Sequence, residues 1–385
     1  MTPEPAQRIS RLPPYIFAEL EALQEDYANR GVRLTSFGIG DPDLPPVKEF
    51  MTALYEALSE EGFHNYSSSA GERFFRLAVS EWYYRRFGVN VDPDREVCAL
   101  IGSKEGIANV GRAYLNPGDR ALVPNPGYPV YAQGATILSD AEAEDLDLSA
   151  ETGFQPDFES IRLTGREKLL FLNYPSNPTG AMASERTLKE AVHFCHEHDM
   201  FLCYDNAYSE TAYERRALSP LEFDHDKRNV VEFNSCSKMF SVTGFRVGFA
   251  VGNERAINLL KKIKSQIDSG VPKFIQRAAA MALDRYFEPS FQSELAERRS
   301  VYGRRLEVLV RGLKSLGYAA RVPEATFYLW LNAGKDGSQF AKELMAQGVV
   351  VTPGGAFGSN GRNYVRFAVT QPEEVIRECL ERLNS

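Results

Sequence analysis

Between residues 235 and 248 the chain reads Ser-Cys-Ser-Lys-Met-Phe-Ser-Val-Thr-Gly-Phe-Arg-Val-Gly, gathering hydroxyls, the Lys238 amine and the Arg246 guanidinium among small side chains. The stretch follows Val230-Val231-Glu232-Phe233, an apolar run that reads as a short buried strand. A lysine buried at a strand end loses its charge. A desolvated amine is what Schiff-base chemistry needs, because only the neutral form attacks a carbonyl. An isolated S-x-S-K is more often a surface turn; the rest of the chain decides otherwise.

Other polar residues stand where apolar runs stop. Asp205 follows Phe201-Leu202-Cys203-Tyr204, Asn173 follows Leu169-Leu170-Phe171-Leu172, and Gly102-Ser103-Lys104 follows the run 97–101 and opens a helix. Together these residues describe a site for an aromatic phosphate cofactor. Asp205 could pair with a ring nitrogen, while Tyr208 and Asn177 could hold a phenolic oxygen. Ser103, Lys104, Ser235 and Arg246 could cradle a phosphate beside a helix N-terminus.

The elements that must position these groups alternate. From about residue 46, helices alternate with short apolar runs at 97–101, 121–123, 169–172, 201–204, 230–233 and 247–251. Such alternation predicts an α/β fold, a mainly parallel sheet covered by helices, with ligands gathered at the carboxyl ends of its strands. Leu188, Ala191, Val192 and Cys195 give one helix a single apolar face, with Ser184 as its N-cap.

After about residue 275 the pattern changes. A long charged helical region runs to Leu316, then come a strand at 327–331, a helix around 340–345, a strand at 349–351, an alternating strand at 363–369 and a closing helix at 375–383. In the alternating strand, Val365, Phe367 and Val369 share one face and Arg366 projects from the other. The expected organisation is an N-terminal arm (1–14), a large cofactor domain (46–274), and a smaller α+β domain built from 15–45 and 275–385. A helix is expected to begin near Tyr15.

Composition narrows the function. Lys plus Arg number 44 against 52 Asp plus Glu, a formal charge of −8, which argues against nucleic acid as a partner. No apolar run approaches a membrane span, and the first twenty residues lack a secretory pattern. Cys98, Cys195, Cys203, Cys236 and Cys379 are scattered within apolar runs and read as buried thiols of a reducing, cytoplasmic compartment. His193, His196 and His198 invite a metal site, but His193 lies opposite the apolar stripe and no metal is expected. Lys261-Lys262-Ile263-Lys264 reads as an exposed helix face. Neither a P-loop nor a nucleophile elbow is present.

Over nearly its whole length the chain resembles the fold-type I pyridoxal-phosphate-dependent aminotransferases of class I/II. The resemblance rests on Gly38-Ile39-Gly40-Asp41-Pro42, Tyr66 with Gly71, Gly102-Ser103-Lys104-Glu105-Gly106, Asn116-Pro117-Gly118-Asp119, Pro126-Gly127-Tyr128-Pro129, Asn173-Tyr174-Pro175, Asn177-Pro178-Thr179-Gly180, Asp205 with Ala207-Tyr208, the stretch 235–248, and Arg366. Within that family it is most similar to the LL-diaminopimelate aminotransferase-like branch, through 102–106, 126–131 and 264–271.

The resemblance implies roles residue by residue. Lys238 would carry pyridoxal 5'-phosphate as a Schiff base and shuttle a proton at the substrate Cα. Asp205 would keep the pyridine nitrogen protonated, and Tyr208 and Asn177 would hold the phenolate. Tyr128 would stack on the ring, and Ser103, Lys104, Ser235 and Arg246 would take the phosphate. Tyr66 would reach the neighbouring subunit of a homodimer. Arg366 would clamp the substrate carboxylate, and Tyr15, Ile39 and Gly40 would close over an amino acid or 2-oxo acid. Asn177 would line the substrate side as well. Ser67 to Ala70, Phe74-Phe75, Asn206 and Val271-Pro272-Lys273 depart from the branch's usual residues and are expected near the substrate's far end.

The same cofactor serves transamination and carbon–sulfur β-elimination, so a β-lyase stays open as the alternative. An effector-sensing module on this fold would require a DNA-binding domain ahead of it, and only a short arm precedes Tyr15.

Overall fold

The apolar runs become the centre of the molecule. In the computed structural model, which describes residues 3–13, 22, 24–27, 29, 31 and 33–384, a two-residue strand β1 (Thr35–Ser36) precedes the main sheet. That sheet comprises β2 (Val97–Leu100), β3 (Arg120–Asn125), β4 (Glu142–Asp147), β5 (Glu167–Asn173), β6 (Phe201–Asp205), β7 (Val230–Ser235) and β8 (Gly248–Gly252). Its order is β2-β8-β7-β6-β5-β3-β4; β8 runs antiparallel to both its neighbours and the other pairings are parallel. The fold is α/β, with a mainly parallel sheet as expected. Continuous burial along β2, β7 and β8 is the reason they read as unbroken apolar runs, since both faces are covered.

Several elements differ from the sequence reading. The run at 121–123 continues through Pro124 to Asn125, and β4 is an edge strand of mostly charged residues that no apolar pattern announces. The single long helical region is two helices, Lys273–Asp284 and Pro289–Ser315, broken where Pro289 takes the first turn of the second. Of the run 349–351 only Val349–Val350 forms a strand, β10, which pairs with β1; a further strand, β11 (Thr352–Pro353), begins after Val351. β11 joins β12 (Tyr364–Ala368) and β9 (Tyr328–Asn332) in a small antiparallel sheet. Ser184 caps helix Glu185–Glu197 as expected, its hydroxyl accepting the Thr187 N–H at 3.0 Å. The start expected near Tyr15 lies outside the described residues.

Helix Pro289–Ser315 runs between two of the hydrophobic cores. The main core takes in Ile275, Ala278 to Ala280, Leu283, Phe291 and Leu295, while Tyr302, Leu306, Leu309 and Leu313 pack with β9 and β12 in the second. Helix Lys273–Asp284, at the boundary expected near 275, lies against Lys48–Ala57 and Arg73–Phe87. All five cysteines are buried and free. His193 is exposed on its helix. Lys264 is not on an exposed face: its side chain is fully buried between two carboxylates. Among the described residues no helix is long and apolar enough to cross a membrane.

Candidate active site

The carboxyl ends of β5, β6 and β7 deliver Asn173, Asp205 and Ser235 to one cavity of about 330 Å³. Helix Cys236–Met239, capped by the Ser235 hydroxyl on the Ser237 N–H at 3.2 Å, turns Lys238 into that cavity. Helix Ser103–Tyr114 brings its N-terminal residues Ser103 and Lys104 to the same cavity, and the small sheet contributes Tyr328 and Arg366. The cavity thus brings together Ile39, Gly40, Ser103, Lys104, Tyr128, Asn177, Asp205, Tyr208, Ser235, Lys238, Arg246 and Arg366. Tyr66 is not among them; it is 87 % exposed on this chain's surface. Tyr15 lies outside the described residues.

Lys238 Nζ donates to the Gly40 carbonyl at 2.9 Å. Burial pulls its pKa down to about 8, aided by the Arg366 and Arg246 charges and opposed by Asp41. A fraction of neutral amine at ordinary pH follows. Asp205 moves the other way: burial raises its carboxyl to about 6, against hydrogen bonds from the Tyr131 hydroxyl at 2.8 Å and the Ala207 N–H at 3.2 Å. Asn173 aligns the two neighbouring strand ends. Its amide donates to the Asp205 carbonyl at 2.8 Å, and its Oδ1 accepts the Asn177 N–H at 2.8 Å.

Arg366 is 2 % exposed. It donates to Asn177 Oδ1 at 2.8 Å and to the Gly38 carbonyl at 2.7 Å, and its guanidinium lies 4.3 Å from the Tyr328 ring centre. Tyr208 and Tyr328 share a hydrogen bond of 2.9 Å. Asn177, read from the sequence as a cofactor contact and substrate-side residue, is therefore tied to the guanidinium.

The residues fit pyridoxal phosphate. The Ser103, Ser235 and Ser237 hydroxyls, Lys104, Arg246 and a helix N-terminus form one donor set suited to a dianion. The approach there is close. A Cβ on Gly102 (φ 74°) would stand 2.1 Å from Arg246 Nη2, and one on Gly248 would stand 3.1 Å from the Ser103 nitrogen. Arg246, itself at φ 55°, is held by Nη1 on the Thr243 carbonyl at 2.8 Å. At the other end, a buried carboxylate faces the cavity where a protonated ring nitrogen would want one.

Sequence reasoning missed Tyr131, Ser237, Thr243 and Tyr328. Ser237 and Thr243 lie inside the singled-out stretch; Tyr131 ends the stretch 126–131, and Tyr328 sits in the apolar run 327–331. The departures expected near the substrate do not line this chain's cavity. Asn206 donates to buried Glu232 at 2.9 Å, and Ser67 accepts from Gln276 Nε2 at 2.8 Å.

A family model described as aminotransferase class I and II matches residues 32–383. Curated relatives include LL-diaminopimelate aminotransferases of Moorella thermoacetica, 43 % identical over 98 % of this chain and 97 % of that one, and of Syntrophobacter fumaroxidans, 41 % identical over the same shares. Among solved structures, substrate-bound BacF from Bacillus subtilis superposes with a TM-score of 0.92 at 35 % identity, covering 100 % of this chain and 97 % of that one. A Thermus thermophilus aspartate aminotransferase mutant reaches 0.93 at 28 % identity, with 99 % of both chains covered.

Proposed function

The chain belongs to the class I and II aminotransferase family and is a pyridoxal-phosphate-dependent aminotransferase acting on amino and 2-oxo acids; from that premise we propose that its amino donor is LL-diaminopimelate and its acceptor 2-oxoglutarate. The donor is supported by full-length relatives bearing that name at 43 and 41 % identity.

The observation that carries the site assignment is a desolvated Lys238 amine sharing one cavity with the Asp205 carboxyl and the Arg366 guanidinium. When bound, pyridoxal phosphate supplies the carbonyl that exchanges the amino group and the ring that accepts the electron pair left at Cα. Lys238 would hold the cofactor through its amine, and the same amine, when free, would carry the proton removed from the substrate Cα. Asp205 would keep a proton on the ring nitrogen, and Tyr208 and Asn177 would hold the phenolic oxygen. Tyr128 would stack on the ring. Ser103, Lys104, Ser235 and Arg246 would anchor the phosphate. Arg366 grips the α-carboxylate with a planar fork that a lysine lacks, and Ile39 and Gly40 close the substrate side.

The working unit is a homodimer in which the exposed Tyr66 completes the neighbouring site, and the five free, buried thiols suit a cytoplasmic enzyme. The test is a panel of amino acids, LL-diaminopimelate included, assayed with 2-oxoglutarate, pyruvate and oxaloacetate. Fastest turnover with LL-diaminopimelate and 2-oxoglutarate is expected. Release of pyruvate and a thiol from a sulfur amino acid without any acceptor would identify a β-lyase instead.

A further inference from the structure

The buried Lys264 stands apart from the reacting groups, yet it is wired to the loop that would hold the phosphate. Its side chain is 0 % exposed, and Nζ lies 3.0 Å from Glu105 Oε2 and 3.0 Å from Asp268 Oδ2. Burial alone would lower its pKa; the two carboxylates outweigh that and hold it above the ordinary lysine value. Glu105 in turn serves the turn before helix Ser103–Tyr114. Its Oε2 accepts the Ile101 N–H at 3.1 Å, and its Oε1 accepts from Asn109. Ile101 and Gly102 are the residues from which Ser103 and Lys104 project, and the Ile101 carbonyl also receives Arg246 Nη2 at 3.4 Å.

A carboxylate in the first turn of that helix holds the turn by its hydrogen bond, but its charge repels a phosphate gathered at the same N-terminus. An ammonium buried against it cancels that charge without loosening the bond. On the far side, Asp268 Oδ1 accepts the Gly270 N–H at 2.7 Å. Gly270 (φ 86°) packs so closely on the 66–71 loop that a Cβ there would stand 2.3 Å from the Ser68 carbonyl oxygen. Lys264 is thus fixed at both ends and cannot drift from Glu105.

We propose that Lys264 is a positioning residue for cofactor phosphate: it neutralises and orients Glu105, which sets the Ile101–Gly102–Ser103 turn. This rests on the reading of Ser103, Lys104, Ser235 and Arg246 as the phosphate cradle.

The full-length chain, freed of cofactor, is titrated with pyridoxal phosphate and with pyridoxal, which lacks the phosphate. Lys264→Met should weaken pyridoxal phosphate about tenfold or more, the scale of a lost charge-assisted contact, and leave pyridoxal within about twofold. At saturating cofactor its kcat stays near wild type. Should Lys264→Met fail to fold by circular dichroism, Lys264→Gln, which keeps a polar side chain against Glu105 but carries no charge to offset it, is titrated instead and should show the same selective loss. Equal weakening of both ligands marks a general scaffold role and overturns the proposal, as does no weakening of either. A wild-type chain that binds the two ligands equally overturns the cradle itself, and this inference with it.

Discussion

Arg366 and Asn177, separated by 189 residues in sequence, meet at 2.8 Å with the arginine donating. One belongs to the small antiparallel sheet and the other to a loop after β5 of the large sheet, so this bond joins the two packing units across the cavity. A substrate carboxylate at Arg366 would sit where small-sheet and large-sheet residues converge. Arg366→Lys keeps the charge and loses the fork. Binding of amino acid and 2-oxo acid should weaken together by about tenfold or more, the range of a lost charge-assisted bond. The cofactor spectrum stays unchanged. Isothermal titration calorimetry with both substrates checks it; unaltered affinities would place the carboxylate elsewhere.

Burial sets Lys238 near 8, so its neutral fraction should control how fast the cofactor-free chain takes up pyridoxal phosphate. The lowered value means that raising pH through it produces the reactive form: roughly a tenth neutral at pH 7 and nine-tenths at pH 9. The uptake rate, followed by the new absorbance at the visible–ultraviolet border, should therefore climb about tenfold across that interval and then level. Lys238→Ala should never develop the band. Its appearance in that variant would remove Lys238 from the assignment.

Asp205 is needed for rate more than for binding. Asp205→Asn preserves shape and leaves every phosphate contact in place but supplies no negative charge to the ring nitrogen. Turnover should fall about a hundredfold or more while the cofactor dissociation constant moves far less. Stopped-flow kinetics beside a cofactor titration separates the two. A variant that turns over like its parent would make Asp205 a structural residue.

Tyr66 offers a test of shared sites. If it serves the neighbouring subunit, Lys238→Ala and Tyr66→Ala chains, each impaired alone, complement each other when mixed. Random reassortment puts half of the dimers in hybrid form, each with one intact site, so activity should recover to about a quarter of wild type. Mixtures no more active than the average of their parents would exclude a Tyr66 contribution across the interface.

The α/β class and most strand ends were legible because each central strand is covered on both faces and so appears as an unbroken apolar run closed by a polar residue, as at Tyr204-Asp205. The strand end at Ser235 and the Lys238 stretch were legible for the same local reason, and the alternation around Arg366 correctly faced its guanidinium away from Val365 and Phe367. What the pattern could not carry was anything decided by distant partners. The charged edge strand β4 exists because β3 pairs with it, and Val349 to Pro353 divides between two sheets because β1 and β12 claim different parts of it. Tyr131 and Tyr328 join the site through hydroxyls that meet Asp205 and Tyr208 from 74 and 120 residues away. Lys264 shows the limit most plainly. In sequence it is one of three lysines within four residues, as a solvated face would be, and only the approach of Glu105 from 159 residues away gives a buried ammonium its reason to be there.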